Sequence, residues 1–192
     1  MKRAGLGFEE ITADDVVLVS PDGDVLEGTG DRHIEYPIHT QIMRVRPGIG
    51  AVVHTHSAAA AAFASLDAPL RPLTHDAVPF LDPDIPRFLR TGDLVSTAEL
   101  GAELAGTLGD ANGVLIPGHG MVVVGGSLAS AVMHAALLDR ACRVQLDAMA
   151  AGGPARWSGS DEVAHKRDHL WTPRQLQSGY DYLVRKSRAL ML

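Results

Sequence analysis

The 192-residue chain is 46% hydrophobic with a mean hydropathy of +0.06, enough apolar surface for one substantial core, and its length favours a single domain over residues 1–192. Its 23 acidic against 17 basic residues leave a formal charge of −6 with no basic block to track a phosphate backbone, so no nucleic-acid partner is expected. The single cysteine, Cys142, excludes an internal disulfide; no apolar run reaches the roughly 20 residues that span a bilayer, and MKRAGLGFEE lacks the core of a signal peptide, so a soluble cytoplasmic protein with no membrane partner is expected.

In chain order, residues 15–26 read as a hairpin: a β-branched run, a Pro-Asp-Gly turn and a short return strand. Over 35–46, Ile38, Ile42, Met43 and Val45 recur at near-helical spacing until Pro47-Gly48 stops them, which predicts an amphipathic helix. Residues 50–55 supply a buried strand, and Ser57 stands as N-cap to an alanine-rich helix over 58–65. From 69 to 91 the density of Pro and Asp breaks every period, so a long functional loop is expected, with room for a short strand in LTHDAVPFL. A helix over 97–108 follows, then a strand over 113–116, a tight turn at Gly118-His119-Gly120 and a second strand over 121–124. Ser127 caps a long helix to about Ala150, with Ala131, Leu138, Val144 and Met149 on its apolar side, ended by Gly152-Gly153-Pro154. The tail from Ala155 carries Trp157, Trp171, Tyr180 and Tyr182, and a helix is predicted over 173–188. Strands and helices in this mixture predict an α/β or α+β sandwich with helices covering a central sheet.

Nine histidines against two tryptophans and three tyrosines is the unusual balance, because imidazole is the commonest metal ligand and titrates near neutrality. In AVVHTHS, His54 and His56 stand at i and i+2 of a strand and project to one face, where together they can hold one ion. Taken alone, the pair reads more readily as two partly exposed histidines at a strand end than as a metal site. A third ligand is required, and His119 is the candidate, since the glycines on either side permit a tight backbone approach. Three imidazoles leave a coordination position open, the pattern of catalytic metal sites.

The order E-x3-H, about fifteen residues, V-V-H-x-H-S, then a strand ending in G-H-G before a helix, resembles the class II aldolase/adducin family over nearly the whole chain. The resemblance implies a three-layer sandwich, its central, mostly antiparallel sheet covered by helices. It implies one divalent metal on His54, His56 and His119, zinc by family default with manganese, cobalt or iron open. The family's catalytic carboxylate stands nineteen positions before the first metal histidine, which is Glu35 here; a first-turn acid favoured by the helix dipole is the alternative. The resemblance also implies a homotetramer whose tail, about 155–192, reaches a neighbouring subunit and offers Tyr182 as proton donor; an aromatic anchoring its own core is the other reading of that tyrosine.

The sugar-phosphate members of the family bind phosphate with a Gly-Asn-x-Ser stretch, a Thr-Gly turn and a Ser-Ser pair just before the glutamate. Here His33 and Ile34 precede Glu35, inside the region that matches, so a non-phosphorylated substrate is expected. IHTQI, the Thr74-His75-Asp76 loop and the tail KRDHLWTPRQLQSGYDYLVR look like the branch that decarboxylates dihydroxy aromatic acids such as dihydroxyphthalate. The expected activity is therefore a metal-dependent carbon–carbon lyase, with Glu35 carrying the proton and His33 and His75 orienting a substrate carboxylate or serving as second acid. Alternatives are a sugar-phosphate aldolase or epimerase, and an adducin-like interaction module without catalysis. His39 reads as a packed residue or a support to the site; His134, His165 and His169 read as surface or tail residues without a role.

Overall fold

The computed structural model describes residues 1–190. Its regular elements are β1 (Leu18–Val19), β2 (Val25–Glu27), α1 (Tyr36–Val45), β3 (Ala51–Thr55), α2 (Ala58–Ala64), α3 (Ala98–Leu108), β4 (Gly113–Ile116), β5 (Gly120–Gly125), α4 (Leu128–Ala150), α5 (Ser160–Arg167) and α6 (Pro173–Leu190). Two segments differ from expectation. His75–Phe80 forms a 3-10 helix where a short strand was expected; Pro79 inside it removes a backbone donor that a strand ladder would use. α5 was not anticipated, because Val163 is its one buried residue and leaves no apolar period to read, although its acidic first turn and basic last turn suit the helix dipole. Among the described residues no helix is long and apolar enough to cross a membrane.

The chain forms two compact units, the first made of Met1–Gly48 with Leu94–Gly106 and the second of Ile49–Asp93 with the chain from Thr107 onward. In the first unit β1 and β2 pair antiparallel, Leu18 opposite Glu27 and Val19 opposite Val25, as the Pro-Asp-Gly turn predicts. Beside the hairpin, the hydroxyl and amide of Thr12 and then the Arg3 guanidinium hold the Asp15 carboxyl down at about 2. On α1 only Ile38 and Ile42, four residues apart and so on one face, are buried among the expected apolar positions. Met43 lies off that face and Val45 sits in the last turn; both are exposed, which corrects the wider apolar stripe expected from the sequence.

The second unit is built on a three-stranded antiparallel sheet in the order β3-β5-β4. Every residue of the central strand β5 is buried, consistent with its unbroken Met-Val-Val-Val run. α2 and α4 pack on this sheet and on each other, and α6 packs on α4. The alanines of α2 serve that contact: Ala59, Ala60 and Ala64 are buried, and their small side chains let the helix lie close while Phe63 fills the core. Phe63 is fully buried, and truncating it to alanine costs about 3–5 kcal/mol. Helices covering an antiparallel sheet make this the expected α/β architecture.

α4 begins at Ser127, whose Oγ accepts the Ser130 amide while Ser130 Oγ accepts the Ser127 amide, a reciprocal cap. Its buried face runs through Ala131, His134, Leu138, Ala141 and Gln145. Val144 is only half-buried and Met149 is exposed past the last packed turn, so two of the four expected core positions are corrected. Gln145 takes a place in that face by accepting the Arg71 amide at 2.6 Å and donating to the Pro69 carbonyl at 2.8 Å.

Candidate metal centre

Antiparallel pairing brings the end of one strand against the start of its neighbour. Thr55, the last residue of β3, is opposite Met121, so His56 just beyond it reaches the level of Gly120, where β5 begins. β4 and β5 are joined by a turn in which His119 N–H donates to the Ile116 carbonyl at 3.1 Å, with Pro117 and Gly118 between and Gly118 at φ +73°. Proline followed by a positive-φ glycine is the signature of a type II turn, and it delivers His119 as the fourth residue. The turn thus sits one residue earlier than the Gly-His-Gly expected from the sequence, and Pro117 was the overlooked signal. Gly120 then passes so close to β3 that a Cβ on it would stand 2.4 Å from the Thr55 carbonyl oxygen and 3.0 Å from His56 Cα.

This geometry brings His54, His56 and His119 together, as the sequence predicted. His56 Nε2 lies 3.1 Å from His54 Nε2 and 3.0 Å from His119 Nε2. The ring centroids are 4.6 to 5.0 Å apart and steeply inclined, so the rings converge edge-on at one point. His54 Nδ1–H donates to the Met121 carbonyl at 3.0 Å, an oxygen that only accepts, so the lone pair of a neutral ring lies on Nε2. Were His56 Nε2 to donate to that lone pair, it could not also accept from His119; nitrogens so placed suit a shared cation better than one another. Nitrogens about 2.1 Å from one metal ion stand about 3.0 to 3.4 Å apart, depending on coordination number, and the observed separations match the short end of that range. The donor set therefore fits a divalent metal.

Glu35, in the first unit, is the N-cap residue of α1 and is almost completely buried at 2% exposure. Its Oε1 accepts the Val95 amide at 2.9 Å, across sixty residues of sequence. A buried carboxylate with one oxygen tied to a backbone N–H has a defined orientation. His33 is half-buried, and its Nδ1 accepts the Glu35 amide at 3.3 Å, which turns the chain into α1. His39 is half-buried on α1.

His75 is exposed at the start of the 3-10 helix and does not join the nitrogens that converge on the metal centre. Its segment is nonetheless fastened: Trp171 Nε1–H donates to the His75 carbonyl at 2.8 Å, and Asp76 receives two bonds from Arg140. Tyr182 is 55% exposed on α6. His165 and His169 are exposed with rings 5.0 Å apart. His134, expected at the surface, is instead buried on α4, its Nδ1–H on the Val124 carbonyl and its ring against Phe80; burial lowers its pKa, with the Val124 bond opposing.

Residues 1–146 match the model of the Class II Aldolase and Adducin N-terminal domain. The chain is 39% identical over 150 residues to a 4-hydroxy-3-prenylphenylpyruvate oxygenase/4-hydroxy-3-prenylbenzoate synthase of Streptomyces roseochromogenus subsp. oscitans, covering 76% of this chain and 53% of that protein. It is 32% identical over 176 residues to the 3,4-dihydroxyphthalate decarboxylase of Arthrobacter keyseri, covering 87% and 70%. Among solved structures, the L-fuculose 1-phosphate aldolase from Glaciozyma antarctica PI12 superposes with a TM-score of 0.81 at 28% identity, over 97% of this chain and 72% of that one. The chain thus spans about half the length of the Streptomyces relative and about seven-tenths of the other two.

Proposed function

Because the chain belongs to the class II aldolase and adducin family, we propose that it is a divalent-metal-dependent carbon–carbon lyase that decarboxylates a non-phosphorylated dihydroxy aromatic acid of the 3,4-dihydroxyphthalate kind. The observation that carries the proposal is the convergence of three imidazole Nε2 atoms at 3.0 and 3.1 Å, a donor set with room left for substrate. The names of two relatives, each referring to aromatic acids, support the substrate class.

His54, His56 and His119 would hold the ion, zinc first, with manganese, cobalt or iron as alternatives. Such an ion supplies Lewis acidity toward adjacent substrate oxygens, drawing electron density from the carbon that loses its carboxylate. Glu35 delivers the proton to that carbon. The Val95 amide on Oε1 holds the buried carboxyl in one orientation, which suits it to proton delivery at a fixed point. His33 and His75 orient the substrate carboxylate, and His75 is available as a second acid. Tyr182, exposed on α6, serves as proton donor to a neighbouring copy within a homotetramer. We take residues 1–192 to act as one domain, in the cytoplasm.

The likeness to a sugar-phosphate aldolase fold supports a second reading, an aldol cleavage or epimerisation of a sugar phosphate. His33 and Ile34 in place of the serine pair before Glu35 weigh against it. The test is a screen of dihydroxybenzoate and dihydroxyphthalate acids for CO2 release by metal-loaded protein, repeated with His54→Ala and Glu35→Gln. Decarboxylation lost in both variants, with metal retained in Glu35→Gln, is the expected result. Aldol cleavage of a sugar phosphate without CO2 release from any aromatic acid would overturn the branch, and full turnover by Glu35→Gln would overturn its role.

A further inference from the structure

The three histidines are not held equally. His54 lies within the β3 ladder and is anchored through Nδ1 to the Met121 carbonyl. His119 is set by the turn that ends at it. His56 is the exposed one and stands one residue past the last ladder pair, Thr55 with Met121, so strand pairing alone does not aim it. Ser57 comes directly after His56 in the chain, and its hydroxyl is committed on both sides. Oγ accepts the Ala60 amide at 3.1 Å as the cap of α2 and donates its proton to a carboxylate oxygen of Asp139 on α4. A capping serine needs only the first bond. The second is charge-assisted, of the stronger class of hydrogen bond, and it ties the strand-to-helix junction to a 23-residue helix packed on β3 and β5.

We infer that Asp139 is a positioning residue for the metal centre, fixing through Ser57 Oγ the backbone from which His56 presents Nε2 to the other two imidazoles. The inference rests on the proposed metal reading of the three histidines. The neighbouring Arg140 reaches a second site segment from the same turn of α4: its Nε and Nη2 donate to the two carboxylate oxygens of Asp76, beside His75, at 3.0 and 3.1 Å. One turn of one helix therefore braces both the His56 junction and the His75 loop. Outer residues that orient a metal ligand act on affinity and coordination geometry without touching the ion.

The experiment compares the full-length protein with Asp139→Ala, Asp139→Asn and Gln145→Ala, measuring zinc affinity by chelator competition, the visible absorption of bound cobalt(II), and thermal stability. Asp139→Ala is expected to weaken zinc binding about tenfold and to shift the cobalt bands. Asp139→Asn keeps an oxygen that can accept the Ser57 hydroxyl and is expected to recover most of the affinity and the parent spectrum. Gln145→Ala removes a clamp on the same helix, away from Ser57, and is expected to lower stability while leaving both metal readouts at parent values. Parent-like affinity and spectrum in Asp139→Ala overturn the inference while leaving the metal reading intact. So does an equal loss of affinity in Gln145→Ala, since that marks general destabilisation. A parent protein that binds neither ion overturns the metal reading and this inference with it.

Discussion

Replacing Gly120 by alanine adds one methyl group where the neighbouring strand leaves no room. The new Cβ would lie 2.4 Å from the Thr55 carbonyl oxygen and 3.0 Å from His56 Cα, both backbone atoms that no rotamer change can move aside. Ordinary contact begins near 3.4 Å, so the start of β5 and the end of β3 must part by about 1 Å. Gly120 does not occupy the positive-φ region, so alanine is conformationally acceptable there. At an uncrowded position the exchange would stabilise by about 0.4–1 kcal/mol through the unfolded chain. Crowding reverses the sign: overpacking of this kind costs about 1–3 kcal/mol, or roughly 3–10 °C in Tm for a chain of this size. The displaced segments carry His56 and His119, so on the proposed metal reading a separation of about 1 Å is also expected to break their shared coordination and to lower turnover by about 100-fold. Thermal melts, zinc competition and CO2 release are the assays. A variant that melts at or above the parent temperature and binds zinc with parent affinity refutes the reasoning, because it shows that the two strand ends have slack.

If the histidines hold a metal, chelation should lower Tm, since a ligand at a hundred times its Kd adds about 2.7 kcal/mol; equal melting of stripped and reloaded protein counts against the site. Burial lowers the pKa of His134 from 6.5, so its contribution to stability is complete above 6.5 and is lost as pH falls toward the lower folded value, where the unfolded chain takes up the proton first. Melting curves from about pH 8 down to about pH 5 should show that decline, and His134→Gln, which cannot titrate, should flatten it; an unchanged slope would remove His134 as its source. Burial, with the Asp139 charge adding and Arg87 opposing, pushes the Cys142 thiol up to about 12, so a maleimide at neutral pH should label it only after denaturation. Rapid labelling of the native protein would contradict the buried thiol.

Local order was legible wherever a residue type answers to its near neighbours. Ser57 and Ser127 were readable as caps because a hydroxyl before a helix meets an amide three residues on, and both do so. His54 and His56 were readable as a pair because strand geometry alone puts i and i+2 on one face. α5 escaped because its helical character lies in charge order and not in an apolar stripe, and His134 was misjudged because the partners that bury it, Phe80 and the Val124 carbonyl, come from other elements. The roles assigned to Glu35, His33, His75 and Tyr182 came from position and resemblance; for Glu35 the Glu35→Gln variant is the direct test.

By itself the sequence determined the kinds of chemistry available: a single cysteine with no second one in these residues to pair with, an excess of acids over bases, and histidines at a strand end and a turn. Only the tertiary structure decided which atoms meet. The register of β3 against β5 carries His119 across 63 residues to His56, and the fold of the first unit carries the Val95 amide across sixty to Glu35. Packing of α4 on the sheet brings Asp139 to Ser57 across 82. Propensity acts over a few residues, whereas contacts at these separations exist only once strand pairing and core burial have offset the entropy of closing such loops.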